Sequence, residues 1–271
     1  MTILDEIIAH KHKEVAERKD LYPVKLLEKS LYFETPCLSL ERYLLRPDKS
    51  GIIAEIKRKS PSKGDINPYV SVERTSIGYM QAGASALSIL TDTNYFGGKN
   101  EDLVTARKFN YCPILRKDFM VDEYQIVEAK SIGADAILLI AAALEPTRLK
   151  ELAAFARSLG LEVLLEVHNK EELDESFNEF VTVVGVNNRN LKTFKTNVGL
   201  SFELAQYIPE GVTKVSESGI INARVMVELR EAGYNGFLIG ERFMYSGRPE
   251  REAAELIKEF RSLLDKKEVT V

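Results

Sequence analysis

The chain has 271 residues, of which 45% are hydrophobic and 29% charged, with a formal net charge of −4. It is long enough to bury a large core, and its mixed charges leave no positive strip suited to nucleic acid. We find neither a signal peptide nor an apolar run near the ~20 residues that span a bilayer, which predicts a cytoplasmic protein with no membrane partner.

The first fifty residues differ from the rest of the chain. Residues 2 to 19 predict an amphipathic helix, and two shorter helices are expected after it, separated by Pro23 and Pro36. This helical N-terminal extension, residues 1–50, has two interpretations. It is either a cap on the bottom of the following domain or a lid near an active site.

From Gly51 onward, short β-rich apolar segments alternate with longer segments of helical periodicity. The predicted strands begin at Gly51, Ala86, Pro113, Ala136, Glu162, Thr182, Thr213 and Gly236. Eight such units predict an α/β fold, a single (β/α)8 TIM barrel that forms one domain with its extension over residues 1–271. The alternative is a doubly wound open sheet. That fold would need a glycine-rich phosphate loop after its first strand, and KRKSPSKGD is not GxGxxG.

Polar residues gather at the carboxyl ends of the predicted strands, where barrels of this kind carry their active sites. Glu55, Glu166 and Glu217 lie within or directly after apolar strand residues, where an unpaired carboxylate would be costly to bury. Lys57 and Lys117 lie on the same rim and are natural partners for them. This pattern favours an acid–base site over a set of structural salt bridges.

Two loops in the second half carry a phosphate signal. Ser218 and Gly219 follow the seventh strand, and Gly240 and Glu241 follow the eighth. Barrels commonly bind phosphate there through backbone N–H groups, so we expect a phosphorylated small-molecule substrate. The Glu241 carboxylate would repel a phosphate unless its side chain turns away.

Cys37 and Cys112 are isolated thiols, a pattern typical of a reducing compartment. Neither they nor any His, Asp or Glu spacing resembles a metal site. The sequence therefore predicts catalysis without a metal or another cofactor.

These motifs together resemble the indole-3-glycerol-phosphate synthase family of tryptophan biosynthesis, over nearly the whole chain and in the family's order. The matching segments are IIAEIKRKSPSKG (from Ile52), LSILTDTNYFGG (from Leu87), ILRKDFMVDEYQI (from Ile114), ADAILLI (from Ala134), LLEVH (from Leu164), VGVNNRNL (from Val184), VSESGI (from Val215) and FLIGERFM (from Phe237). The resemblance implies a carboxy-lyase that closes the ring of 1-(2-carboxyphenylamino)-1-deoxyribulose 5-phosphate, with loss of carbon dioxide and water, to give indole-3-glycerol phosphate. It also favours the lid interpretation of the extension.

The resemblance implies roles for individual residues. Lys117 corresponds to the lysine acid that protonates or polarises the substrate ketone, and Glu166 to the carboxylate base. Lys57 is expected near the substrate carboxylate and phosphate, and it is an alternative acid for the dehydration. Which lysine serves which step stays open.

The other residues that the resemblance places in catalysis or substrate binding are Glu55, Asn187, Glu217, Arg189, Ser60, Phe96, Phe119, Ser218, Gly219, Gly240 and Glu241. Phe96 and Phe119 are the expected aromatic walls for the aminobenzoate ring, and Ser60 begins a mobile loop. Arg242 and Phe243 depart from the small or aliphatic residues of many relatives. We expect no fused isomerase domain, and a monomer or weak homodimer.

Three alternatives remain at this point. A Schiff-base lyase would use a barrel lysine as a nucleophile, and borohydride would trap its adduct. The preceding isomerase of the same pathway shares the barrel plan, but the long extension and the two lysines argue against it. A non-catalytic binding or scaffold barrel is compatible with the fold, yet it would have no reason to keep three glutamates and two lysines on one rim.

Overall fold

Eight parallel strands form a closed barrel in the computed structural model, which describes residues 2–268. Strands β1 to β8 are Ile52–Ile56, Ala86–Leu90, Ile114–Lys117, Ala136–Ile140, Glu162–Val167, Val183–Asn187, Thr213–Glu217 and Gly236–Ile239. The barrel closes where β1 pairs with β8 through Ile53 and Leu238. The predicted (β/α)8 barrel is confirmed and the open sheet is excluded. Residues 1 and 269–271 of the predicted domain lie outside the described residues.

Helices surround the barrel. In chain order, α1 to α12 are Ile3–Leu21, Val24–Leu27, Leu40–Leu44, Val72–Ala82, Asn100–Phe109, Glu123–Ser131, Pro146–Ser158, Lys170–Ser176, Gly199–Leu204, Ala223–Glu231, Glu241–Met244 and Pro249–Glu268. Asp122, Asn169 and Asn222 cap α6, α8 and α10 by accepting hydrogen bonds from backbone N–H groups of the first turn. Among residues 2–268, no helix has the length and apolar character that crossing a membrane requires.

The apolar core has two layers. Ile53, Leu115 and Leu164 belong to the layer that fills the inside of the barrel. The other layer lies between the strands and the surrounding helices, with Ile52 and Leu139 among its members. Because strand side chains alternate between the two layers, the barrel is a packed core, and its carboxyl end is left to carry polar groups.

The extension covers both ends of the barrel. Ile3, Leu4 and Ile7 of α1 line a cavity at the carboxyl ends of the strands, so this helix is a lid as the resemblance implied. Leu40 and Leu44 of α3 pack into the barrel interior at its amino end. Each of the two interpretations is therefore correct for one helix.

Candidate active site

A cavity of about 160 Å³ opens at the carboxyl ends of the strands, beneath α1. The predicted site residues that line it are Glu55, Lys57, Ser60, Phe96, Lys117, Phe119, Glu166, Asn187, Arg189, Glu217, Ser218 and Glu241. The remaining two, Gly219 and Gly240, line an adjoining pocket of about 410 Å³ that shares Lys57 and Ser218 with the first. The fold therefore brings every residue of the predicted site into one continuous cleft.

Four charged side chains form one layer across the end of the barrel. Glu55, Lys117, Glu166 and Glu217 come from β1, β3, β5 and β7, and alternate strands point their side chains into a common layer. Lys117 Nζ lies 2.9 Å from Glu166 Oε2 and 3.3 Å from Glu217 Oε2. One ammonium group is thus held between two buried carboxylates at the cavity wall.

Burial and charge set the pKa values of this layer. Burial raises the pKa of Glu217 to about 7, because the pull of Lys117 is offset by repulsion from Glu166. For Glu166, burial also opposes ionisation, but the charges of Lys117 and His168 hold its pKa below the usual range. For Lys117, burial is outweighed by its three glutamate neighbours, which raise its pKa. A proton in this cluster therefore resides on Glu217 more readily than on Glu166.

Lys57 forms a second ion pair beside the first. Its Nζ lies 3.0 Å from Glu55 Oε1, and the Ser88 hydroxyl donates to Glu55 Oε2 at 3.4 Å. A side chain at Gly240 would place its Cβ 2.5 Å from Glu55 Oε1, and one at Gly185 would collide with Glu217. Gly185 on β6 and Gly240 directly after β8 thus make room for glutamates on β7 and β1.

The second oxygen of Glu166 faces two more polar groups. Asn187 Nδ2 donates to Glu166 Oε1 at 3.1 Å, and His168 Nε2 lies 3.4 Å from the same oxygen. The other ring nitrogen of His168 lies 3.1 Å from Glu172 Oε2. Although burial disfavours its charge, the two carboxylates raise the pKa of His168 to about 9. Glu166 is therefore fixed by hydrogen bonds and charge on both oxygens.

Arg189 resolves the expected repulsion between Glu241 and a phosphate. Its guanidinium lies 2.8 Å from Glu241 Oε2 and donates to the Phe194 carbonyl at 3.2 Å. Beside this pair, Ser218 and Gly219 both have positive φ, 66° and 74°. The Ser218 conformation is uncommon for a residue with a Cβ, so the surrounding contacts must hold it.

The structure also gives the positions of the predicted aromatic pair and of Arg242 and Phe243, the two residues that differ from many relatives. The rings of Phe96 and Phe119 lie 5.9 Å apart, centroid to centroid, on the cavity wall. Phe243 is fully buried against Tyr79 and does not reach the cleft, whereas Arg242 lines the pocket beside Gly219 and Gly240. Within residues 2–268, no group of three or more His, Cys, Asp or Glu side chains is arranged to hold a metal ion.

Two structural contributors were missed from the sequence. Asn188 is buried and donates from Nδ2 to the carbonyls of Glu217 and Ser218, which fixes the loop after β7. Lys11 is the other; it is buried midway between Ile7 and Val15 on one face of α1. A lysine inside an apolar i, i+4, i+8 stripe is the signal that could have identified it.

Comparison with known families and sequences gives one consistent result. Residues 4–256 match the family model described as indole-3-glycerol phosphate synthase. A protein of that name from Bacteroides thetaiotaomicron is 49% identical over 256 residues, which cover 94% of this chain and 98% of the relative. Another from Magnetococcus marinus is 42% identical over 263 residues, with 95% and 98% covered.

Solved structures at low sequence identity share the barrel. Thiamine phosphate pyrophosphorylase from Pyrococcus furiosus aligns with a TM-score of 0.60 at 14% identity, over 83% of this chain and all of the other. A mutant tryptophan synthase α-subunit from the same organism has a TM-score of 0.58 at 15% identity, with 79% and 99% covered. At these identities the likeness concerns the fold alone.

Proposed function

The chain belongs to the indole-3-glycerol phosphate synthase family, and we propose that the layer of Glu55, Lys117, Glu166 and Glu217 carries out its ring closure. As a member of this family it is a carboxy-lyase of tryptophan biosynthesis. Family membership decides for the synthase over the isomerase and the non-catalytic barrel. The observation that carries the assignment of roles is the ammonium group of Lys117, held between two buried carboxylates.

The first chemical step forms the carbon–carbon bond. The ring carbon that bears the carboxylate attacks the ketone carbon of the opened sugar, and the ketone oxygen takes a proton from Lys117. The bond to the carboxylate then breaks, carbon dioxide leaves, and its electron pair restores the aromatic ring. Asn187, which donates a hydrogen bond to Glu166, lines the same cavity, and we assign it to the reacting centre.

The second step removes water from the five-membered ring. The new hydroxyl leaves with a proton from an acid, while Glu166 takes a proton from the ring and the double bond of the indole forms. Lys117 and Lys57 both line the cavity, and Lys57 is held by Glu55 at 3.0 Å. Glu217 keeps Lys117 in place and is the group most able to share a proton with it.

The phosphate is assigned to the adjoining pocket. Ser218, Gly219, Gly240 and Glu241 line it, and Arg189 lies 2.8 Å from the Glu241 carboxylate and offsets its charge. We assign the contact to backbone N–H groups of the two loops, and the aminobenzoate ring to the wall formed by Phe96 and Phe119. The cytoplasmic location and a monomeric or weakly dimeric state stay predictions, and sedimentation analysis tests the second.

The test is the conversion of 1-(2-carboxyphenylamino)-1-deoxyribulose 5-phosphate by the purified chain. We expect indole fluorescence to appear together with one equivalent of carbon dioxide. Lys117→Met should lower kcat by about 10²–10⁴, the usual contribution of a general acid. Lys214→Met, on the outside of β7 away from the cavity, serves as the matched control. A folded wild-type protein that forms no indole would contradict the assignment, and a borohydride-trapped adduct on Lys117 would replace acid catalysis by a Schiff base.

A further inference from the structure

We infer that Lys11 is a positioning residue that builds the aromatic end of the substrate site. Its ammonium group ties the lid helix α1 to both loops that carry the aromatic walls, Phe96 and Phe119. The inference rests on the proposed function, because it takes those two rings as the walls for the aminobenzoate group.

Lys11 is 0% exposed, although it lies on a helix that covers the barrel from outside. Its Nζ lies 2.9 Å from Asp92 Oδ2 and 3.0 Å from Asp118 Oδ1. Glu14, one turn further along α1, lies 3.1 Å away. Asp92 and Asp118 are themselves buried and follow β2 and β3, so one cation joins two neighbouring strand ends.

Each aspartate fixes the backbone of an aromatic residue. Asp92 Oδ1 accepts hydrogen bonds from the backbone N–H of Tyr95, at 2.7 Å, and of Phe96, at 3.2 Å. Asp118 Oδ1 accepts from the backbone N–H of Phe119 at 2.8 Å. The two rings face each other at 5.9 Å, so the spacing of the aromatic walls depends on where Lys11 holds the carboxylates.

The same ammonium group also sets the position of the lid. Ile7 lies one turn before Lys11 on the buried face of α1, and with Ile3 and Leu4 it lines the top of the cavity. A shift of the helix along its axis would move these apolar side chains and break both ion pairs. Lid and aromatic walls are therefore one unit, joined at Lys11.

Attachment of α1 to the barrel does not by itself require Lys11. Further along the helix, Arg18 pairs with Glu128, and Lys19 Nζ lies 2.8 Å from Asp122 Oδ2. Neither pair touches a residue that lines the cavity. A variant of Lys19 therefore tests loss of a helix anchor, and a variant of Lys11 tests loss of the aromatic geometry.

The experiment compares Lys11→Met with Lys19→Met in the full chain. We expect Lys11→Met to raise KM by about 10-fold to 100-fold, the range over which misplacement of substrate-binding groups acts. Its affinity for anthranilate, the ring part of the substrate, should fall, while its affinity for inorganic phosphate stays that of the wild type. Lys19→Met should change neither affinity.

Lys11→Met leaves two buried carboxylates without their cation and could fail to fold. Lys11→Arg keeps the charge and changes its geometry, so it should fold and show the same selective loss of anthranilate affinity. Wild-type anthranilate affinity in a folded Lys11 variant would overturn the inference, and so would an equal loss for phosphate or the same loss in Lys19→Met. If the wild type forms no indole, the proposed function fails and this inference fails with it.

Discussion

Glu166 and Glu217, the two carboxylates beside Lys117, differ in their other polar partners. Glu166 has Asn187 and His168 on its other oxygen, whereas Glu217 Oε1 has no hydrogen-bond partner among the described residues. Burial therefore raises the pKa of Glu217 to about 7, while the pKa of Glu166 lies below its usual range. The site thus holds one carboxylate, Glu166, that is ionised at neutral pH and another, Glu217, that is half protonated there.

The raised pKa of Glu217 predicts a loss of stability with rising pH. Between the ordinary glutamate pKa near 4.5 and about 7, the folded state binds more protons than the unfolded state, so the free energy of unfolding falls as pH rises. Glu217→Gln has no such proton to lose. Calorimetry should show its Tm gaining on the wild type from pH 5 to 8, with the exposed Glu203→Gln as control. A constant difference would contradict the assigned pKa.

His168 predicts a loss of stability of the same sign, but at higher pH. Its folded pKa of about 9 lies above the ordinary value of 6.5, so its stabilising contribution is complete below 6.5 and is lost as pH rises through 9. Glu166 then loses one cationic neighbour. We expect kcat of the wild type to fall above pH 9, and we expect no such fall in His168→Gln. NMR titration of the imidazole, assigned by its absence in the variant, measures the pKa directly.

The charged layer at the carboxyl ends of the strands could be predicted from the sequence more fully than the residues that hold it in place. Glu55, Lys117 and Glu166 could be identified because charged residues interrupt or end apolar strands, and the barrel pattern predicts that such strand ends meet. The roles of Lys11 and Asn188 depend on loops and a helix far apart in the chain. No spacing rule connects those segments, so only the folded structure shows the contacts.

The loop after β7 depends on a left-handed backbone conformation at Ser218 and Gly219. Gly219 has a φ of 74°, and a Cβ there would lie 3.3 Å from Thr196 Cβ and from a methyl of Val198. Asn188 holds the carbonyl of the preceding Ser218 at 3.1 Å. The loop that carries the proposed phosphate contact is therefore fixed from both sides.

Gly219→Ala should weaken substrate binding as well as stability. The left-handed conformation costs about 1–2 kcal/mol for a residue with a Cβ, and relief of that strain would move the loop. Gly160→Ala is a matched control, since Gly160 has a φ of 80° with no atom within 4 Å of the new Cβ. We expect similar losses in Tm, but a raised KM in Gly219→Ala alone. Equal KM values in Gly219→Ala and Gly160→Ala would contradict a role of this loop in phosphate binding.

For the N-terminal extension, the sequence predicts the helices but not where they pack. Its helices could be predicted from periodicity and prolines. The first is predicted over residues 2 to 19, and in the structure α1 is Ile3–Leu21. Their positions could not be predicted, because an amphipathic helix covers either end of a barrel equally well. The segment between α1 and α3 runs down the outside, where Leu38 N–H donates to Asp135 Oδ1 at 2.7 Å.

The two ends of the barrel differ in the side chains that they carry. The carboxyl end carries the charged layer and the lid, and burying these groups works against stability. The amino end is closed by Leu40 and Leu44, both buried in the barrel interior, and Glu41 N–H donates to Glu162 at the start of β5. We therefore expect substitutions at the two ends to have separable effects.

Leu44→Ala tests this separation. The truncation should cost about 2–5 kcal/mol in the free energy of unfolding, as for other buried leucines, because a cavity opens at the bottom of the barrel. KM and kcat should stay at wild-type values below the unfolding transition. Leu31→Ala, at a side chain 91% exposed, is the control for a leucine in the same extension. A kinetic defect in Leu44→Ala would show that the two ends are coupled.

In the proposed mechanism, Lys117 protonates the ketone oxygen during ring closure and Glu166 takes the ring proton during dehydration. Single-turnover measurements that follow carbon dioxide release and indole fluorescence separately distinguish these two roles. Lys117→Met should slow both signals together, because the first bond cannot form without the acid. Glu166→Gln should release carbon dioxide while the fluorescence lags, as the hydroxylated intermediate accumulates. Carbon dioxide release at the wild-type rate in Lys117→Met would contradict the role of Lys117 as the acid. Stalled release in Glu166→Gln, with no intermediate, would contradict the role of Glu166 in dehydration.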